Sequence, residues 1–193
     1  MRRILLVCTG NTCRSPMAEA MLKSLAEQGG IPLEVRSAGV STIDGMPISP
    51  HAAQALINRQ LPLPGGSTSL DGETARWADL ILTMTTGHKR TVVARYPEAS
   101  GKTYTLKEFA MGGEPAAMND LAEAQRLYAD WQVRQALGES LPEADRKRLE
   151  ELASRLPDLD IADPYGGTPE MYERSADEIW EALDQVVRRL DTD

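Results

Sequence analysis

The run Val7-Cys8-Thr9-Gly10-Asn11-Thr12-Cys13-Arg14-Ser15-Pro16 leaves the surrounding chain little freedom: it reads as a strand end, a tight polar turn and the opening of a helix. The apolar segment Arg3-Ile4-Leu5-Leu6-Val7 has the near-continuous hydrophobicity of a strand buried in a parallel sheet. Pro16 after Ser15 reads as the first helical position behind its N-cap. A loop so placed lies at a helix N-terminus, where backbone N–H groups without intrahelical partners and the positive end of the dipole favour a phosphate-sized anion. Arg14 adds a bidentate cation for the same anion. Thr9, Gly10, Asn11, Thr12, Cys13 and Ser15 are therefore candidate binding residues.

Cys8 takes its chemical meaning from that setting. Amides and a dipole that favour an anion also favour a thiolate, and a thiolate beneath a phosphoryl group is an in-line nucleophile. A lone cysteine ending a strand is more often a small buried residue. The full C-x5-R-S spacing, with Gly10 and Asn11 in the turn, is far more specific.

Further along, Met17, Met21, Leu22 and Leu25 recur at helical spacing over 17–28, and Gly29-Gly30 ends that helix. Leu33-Glu-Val-Arg-Ser37 alternates as a second strand, and the turn at Ala38-Gly39 can bring the Ser37 hydroxyl near the first loop. A helix from Ser49-Pro50 to about Gln60 turns Ala52, Ala55, Leu56 and Ile57 inward and leaves His51 exposed. Leu80-Ile-Leu-Thr-Met84 is a third strand, followed by a helix over about 87–96 whose His88, Lys89, Arg90 and Arg95 form a solvated face. Lys102-Thr-Tyr-Thr-Leu106 is a fourth strand. Strands alternating with helices predict an α/β fold, a doubly wound four-stranded parallel sheet with flanking helices and the loop at the carboxyl end of the first strand.

Residues from about 112 to 159 break that alternation. Met118, Leu121, Tyr128 and Trp131 share one helical face and Leu141, Leu149, Leu152 and Leu156 another, with Ser140-Leu-Pro-Glu143 patterned as a capping box between them. An inserted helical hairpin is expected, serving as extra packing, as a lid or as a partner-binding surface. The chain then passes through Asp163-Pro164-Tyr165-Gly166-Gly167 into a last helix, opened by Thr168-Pro169-Glu170, with Ala176, Ile179, Leu183, Val186, Val187 and Leu190 on its core side. Asp before Pro is commonly a turn former.

The stretch Cys8-Thr-Gly-Asn-Thr-Cys-Arg-Ser-Pro-Met-Ala-Glu19 resembles the phosphate loop of the low-molecular-weight protein tyrosine phosphatase family and, within it, the bacterial protein arginine phosphatase branch. The likeness continues through Arg36-Ser-Ala-Gly-Val40, Ala78-Asp-Leu-Ile-Leu82, Thr105-Leu-Lys-Glu108 and Asp163-Pro-Tyr-Gly-Gly167, and departs from that branch at about 112–160. The resemblance implies Cys8 as nucleophile, Arg14 as phosphate ligand, Asp163 as general acid and then base, and Ser15 as donor to the departing thiolate. It gives Ser37 the support of Asn11. Some relatives also hold that Asn with a histidine, and 61–69 contains none. Tyrosine-specific relatives place an apolar residue where Thr12 stands and a second aromatic where Gly166 stands. A planar phosphoguanidinium suits the Thr12 hydroxyl and the single aromatic wall of Tyr165 better, which favours phospho-arginine in proteins as substrate.

Three other readings compete. A tyrosine phosphatase shares every catalytic residue; an arsenate reductase needs more cysteines than Cys8 and Cys13; a non-catalytic phosphate-binding module would bind an aryl phosphate without turnover. Composition narrows the setting. At 193 residues with 41% hydrophobic content, one domain spanning 1–193 is the simplest count. A net charge of −8 without a basic stripe argues against nucleic acid. No apolar run approaches the roughly 20 residues a membrane span needs, and the start is not that of a signal peptide, so a cytoplasmic protein is expected. No metal or other cofactor is called for. Both cysteines lie in the loop, close enough in sequence for peroxide to link them in a protective disulfide.

Overall fold

The computed structural model describes residues 2–112 and 115–192, without the side chains of 115–118 and 192. Strand β1 (Arg2–Cys8) sends Ile4 and Leu6 into one apolar cluster and Leu5 and Val7 into another, all fully buried. Its unbroken hydrophobic run is that of a strand covered on both faces. β1 pairs in parallel with β2 (Leu33–Gly39) and with β3 (Leu80–Thr83), Ile4 standing opposite both Val35 and Leu80. β4 (Thr103–Thr105) pairs with β3, so the order is β2-β1-β3-β4. Winding reverses between β1 and β3, which opens a crevice at the carboxyl ends of the strands beside Cys8.

The helices are α1 (Arg14–Gln28), α2 (Pro50–Asn58), α3 (Gly72–Trp77), α4 (Thr86–Arg95), α5 (Leu106–Ala110), α6 (Pro115–Ala136), α7 (Glu143–Arg155) and α8 (Pro169–Thr192). One sheet face carries α1, α2 and α8, with Met17, Met21, Leu22 and Leu56 packed beside Ile179, Leu183 and Val186. All six expected core residues of α8 are buried. The other face carries Ala75 of α3 and Val92 of α4 against Leu5, Val7 and Ile81. Each such valine, leucine or isoleucine side chain removed from water stabilises the fold by about 1.5–3 kcal/mol.

Several boundaries depart from the sequence expectation. α1 begins with Cys13 as N-cap and Arg14 as first residue, not with Ser15 and Pro16, and the Met17 N–H closes the first turn on the Cys13 carbonyl at 3.3 Å. Proline fits anywhere in a first turn, where its missing N–H has no partner to lose, so Pro16 does not mark the boundary. Ile57 is 53% exposed, one position past the inward stripe of Ala52, Ala55 and Leu56. α3 and α5 were not foreseen. Asp71 caps α3 by accepting from the Thr74 N–H at 2.7 Å, and Thr105 with Glu108 forms a capping box that ends β4 and starts α5.

The chain forms two compact units: residues up to Met111 together with those from Leu159 onward, and Gly112–Asp158. The second unit is a helical hairpin in which Ala124 and Leu127 of α6 meet Leu149, Leu152 and Leu156 of α7. Arg148 grips Glu123 across it at 2.7 and 3.0 Å. The inward positions of α6 are thus Ala124 and Leu127, not the stripe Leu121, Tyr128 and Trp131, while the Met118 side chain lies outside the described residues. Tyr128 and Trp131, their rings 5.3 Å apart, instead line an open groove of about 690 Å³ with Leu141 and Leu149. No capping box forms at 140–143: Pro142 is the N-cap of α7, which starts too late for Ser140 to cap it. No helix among the described residues is long and apolar enough to cross a membrane.

Candidate active site

The loop after β1 curls beneath the N-terminus of α1 because Asn11 takes a left-handed conformation, φ 53°, in the turn. Asparagine tolerates that region better than most residues. The geometry brings Cys8 and Ser15 together, Sγ to Oγ 3.0 Å, and points the Asn11 backbone N–H at the same sulfur, 3.3 Å away. Both partners place hydrogen-bonding capacity around the sulfur, an arrangement suited to a thiolate.

Asn11 is held on three sides. Its Nδ2 donates to Ser15 Oγ at 2.8 Å and to Ser37 Oγ at 2.9 Å, and its Oδ1 accepts from the backbone N–H of Thr68 at 2.8 Å. Ser37 in turn donates to Glu19 at 2.5 Å, tying β2 to α1. The Thr68 amide therefore does the work for which 61–69 offers no histidine. Gly39 completes the cradle: a Cβ there would stand 2.7 Å from the Thr9 carbonyl oxygen and 3.1 Å from the Asn11 nitrogen, closer than the loop allows.

Arg14 is buried, with Nη1 donating to the Ile161 carbonyl at 3.2 Å and Nη2 paired with Asp163 Oδ2 at 2.9 Å. Its Nε is the only fully buried side-chain polar atom among the described residues without a protein partner. Asp163 is half exposed; its Oδ1 accepts the Tyr165 N–H at 3.1 Å, which turns the carboxylate inward over the loop. Cys8, Thr9, Gly10, Thr12, Cys13, Arg14, Asp163 and Tyr165 line one cavity of about 420 Å³, whose outer rim includes Ile43 and Met46. Tyr165 is 79% exposed and is the single aromatic wall. Cys13 lies deeper, with its sulfur 3.4 Å from the Tyr172 hydroxyl and 3.5 Å from Ser49 Oγ. Burial, reinforced by the Cys13 contact, pushes the Tyr172 phenol above its ordinary pKa, so it stays neutral.

The expected solvated face of α4 is only partly one. Arg90 and Arg95 are exposed, but Lys89 turns in to bind both oxygens of buried Glu108 at 2.9 and 2.8 Å. His88 is buried, with Nε2 2.8 Å from Thr9 Oγ1 and Nδ1 2.9 Å from Thr85 Oγ1. Desolvation, with the Arg14 charge acting in the same sense, lowers its pKa to about 4, so a neutral imidazole braces the loop. A helix-face pattern cannot foresee this, because Thr9 of the loop and the segment 160–163 that stand beside His88 are far away in sequence.

A buried cysteine beneath a helix N-terminus, with an arginine and an aspartate beside it at the switch point of a parallel sheet, matches the arrangement of cysteine-dependent protein phosphatases. The chain belongs to one family of them: the model of the family described as low molecular weight phosphotyrosine protein phosphatase matches residues 3–128. A protein-arginine-phosphatase of Geobacillus stearothermophilus is 35% identical over 99% of this chain and 97% of its own. The solved structure of YwlE arginine phosphatase from the same organism superposes with a TM-score of 0.72 at 35% identity, covering 100% of this chain and 94% of that one. The low molecular weight protein-tyrosine-phosphatase PtpB of Staphylococcus haemolyticus is 38% identical over 55% of this chain and 73% of its own.

Proposed function

We propose that this protein hydrolyses phospho-arginine in proteins through a cysteinyl-phosphate intermediate. The observation that carries the chemistry is the convergence of Cys8, Arg14 and Asp163 on one cavity, with Ser15 behind the Cys8 sulfur and a buried Arg14 Nε left for an anion. The phosphoryl group sits on the loop amides and the Arg14 guanidinium. Cys8 Sγ attacks phosphorus in line, the P–N bond to the substrate guanidine breaks, and Asp163 gives its proton to the departing nitrogen. Asp163, now a carboxylate, takes a proton from the water that attacks the cysteinyl-phosphate, and Ser15 donates to the sulfur as it leaves. No cofactor enters the sequence. A reducing, cytoplasmic setting belongs to this reading, since only the reduced thiol can attack.

The choice of phospho-arginine over phospho-tyrosine rests on the wall of the cavity. Thr12 places a hydroxyl where an apolar residue would suit a phenyl ring, and Gly166, at φ 74°, leaves Tyr165 as the sole aromatic. The full-length match to an arginine phosphatase, beside the partial match to the tyrosine phosphatase, supports the same choice. The test is kcat/KM on one peptide carrying either modification. Wild type should favour phospho-arginine, and Thr12→Ile should move the ratio toward phospho-tyrosine by about 1–3 kcal/mol, the scale of one pocket contact. An unchanged ratio would shift specificity away from Thr12.

A further inference from the structure

The segment 160–162, which delivers the chain to Asp163, is gripped at nearly every backbone polar group. The Ile161 N–H donates to the Met84 carbonyl at 2.8 Å, and the Ile161 carbonyl accepts from Arg14 at 3.2 Å. The Ala162 carbonyl accepts from Ser175 Oγ at 3.2 Å. The remaining two grips come from one ion pair. Lys107 Nζ donates to the Asp160 carbonyl oxygen at 2.7 Å, Glu178 Oε2 accepts the Ala162 N–H at 3.1 Å, and Lys107 pairs with Glu178 between them. Asp163 follows at once, and Pro164 restricts its backbone to extended conformations. Lys107 stands on α5 and Glu178 on α8, so the pair fastens this segment to two helices of the core.

We infer that Lys107 and Glu178 are positioning residues for the general acid, holding the Asp160–Ala162 backbone so that the Asp163 carboxyl stands over the phosphoryl leaving atom. The pair touches neither Cys8 nor the cavity wall. Its action runs through the main chain, and a small displacement there moves a proton donor whose usefulness depends on reaching the leaving atom. This inference rests on the reading of Asp163 as the acid. It carries a signature: loss of the pair slows substrates in proportion to how much their leaving group needs a proton. An acidic phenol departs largely unaided, whereas an ordinary phenol or a guanidine does not.

The experiment compares kcat/KM on p-nitrophenyl phosphate, whose phenol is acidic, and on phenyl phosphate. Glu178→Ala should lose about tenfold to a hundredfold on phenyl phosphate and under about threefold on p-nitrophenyl phosphate, the scale of a misplaced catalytic group. Glu178→Gln, whose amide oxygen can still accept the Ala162 N–H, should recover part of that selective loss. Asp163→Asn should show the same selectivity more strongly, and adding Glu178→Ala to it should produce no further selective loss. If Glu178→Ala does not fold, Lys107→Met carries the same comparison, since it removes the ammonium from the Asp160 carbonyl and leaves Glu178 on Ala162. Equal losses on both substrates overturn the positioning role. Absence of selectivity in Asp163→Asn itself overturns the reading of Asp163 as the acid.

Discussion

Cys8 and Cys13 share a loop and line one cavity, yet their neighbours differ. Cys8 meets Ser15 Oγ and the Asn11 amide, whereas Cys13 meets the Tyr172 hydroxyl and Ser49. Peroxide should oxidise Cys8 to a sulfenic acid, whose sulfur the Cys13 thiol can then attack, forming the S–S bond and releasing water. The contacts of Cys13 with Tyr172 and Ser49 must break for this to happen. Wild-type enzyme treated with peroxide and then dithiothreitol should regain most of its activity, and Cys13→Ala should regain little. Mass spectrometry of the oxidised sample should find the Cys8–Cys13 crosslink; equal recovery without it would leave Cys13 a packing residue.

Among elements, α4 and the loop after β1 are joined by His88, which makes the loop sensitive to acid. Burial and the Arg14 guanidinium lower its pKa from 6.5 to about 4, against the opposing pull of the Asp163 and Asp160 carboxylates. The unfolded chain takes up a proton near 6.5 and the folded one only near 4, so the unfolded state binds more protons between those values. Stability from this group is therefore complete above 6.5 and is lost as pH falls toward 4. Urea unfolding across that window should show a slope shallower by up to one proton in His88→Gln than in wild type. An identical slope would mean that His88 is not held neutral. The loop after β2 acts on the same scale, since Ser37, Gly39 and the Thr68 amide hold Asn11 from outside the loop.

For the molecule as a whole, every residue around Cys8 belongs to the larger unit, while the hairpin Gly112–Asp158 has its own small core. Its Tyr128, Trp131, Leu141 and Leu149 line an open groove of about 690 Å³. Leu152→Ala, which empties the centre of that small core, should destabilise the hairpin by about 2–5 kcal/mol in thermal unfolding and leave p-nitrophenyl phosphate turnover unchanged.

The sequence alone carried the strand and loop around Cys8, the parallel sheet, the inward face of α8 and the grouping of Cys8, Arg14 and Ser15, whereas Asp163 joined them only through the family resemblance. Apolar periodicity and turn chemistry are local properties, and the C-x5-R spacing fixes its own geometry. Thr105-Leu-Lys-Glu108 stood in the sequence only as part of the family likeness, and the tertiary structure shows it as the capping box that opens α5. What holds the site in place was decided by tertiary structure. The Thr68 amide reaches Asn11 across 57 positions and His88 reaches Thr9 across 79. A backbone N–H has no residue identity to read, and an imidazole on a polar helix face looks solvated until the segments that stand beside it are known. Lys107 and Glu178 likewise meet at Asp160 and Ala162 only because α5 and α8 pack against one another. Their charges, ordinary in sequence, become a clamp only when that packing places them around the chain leading to Asp163.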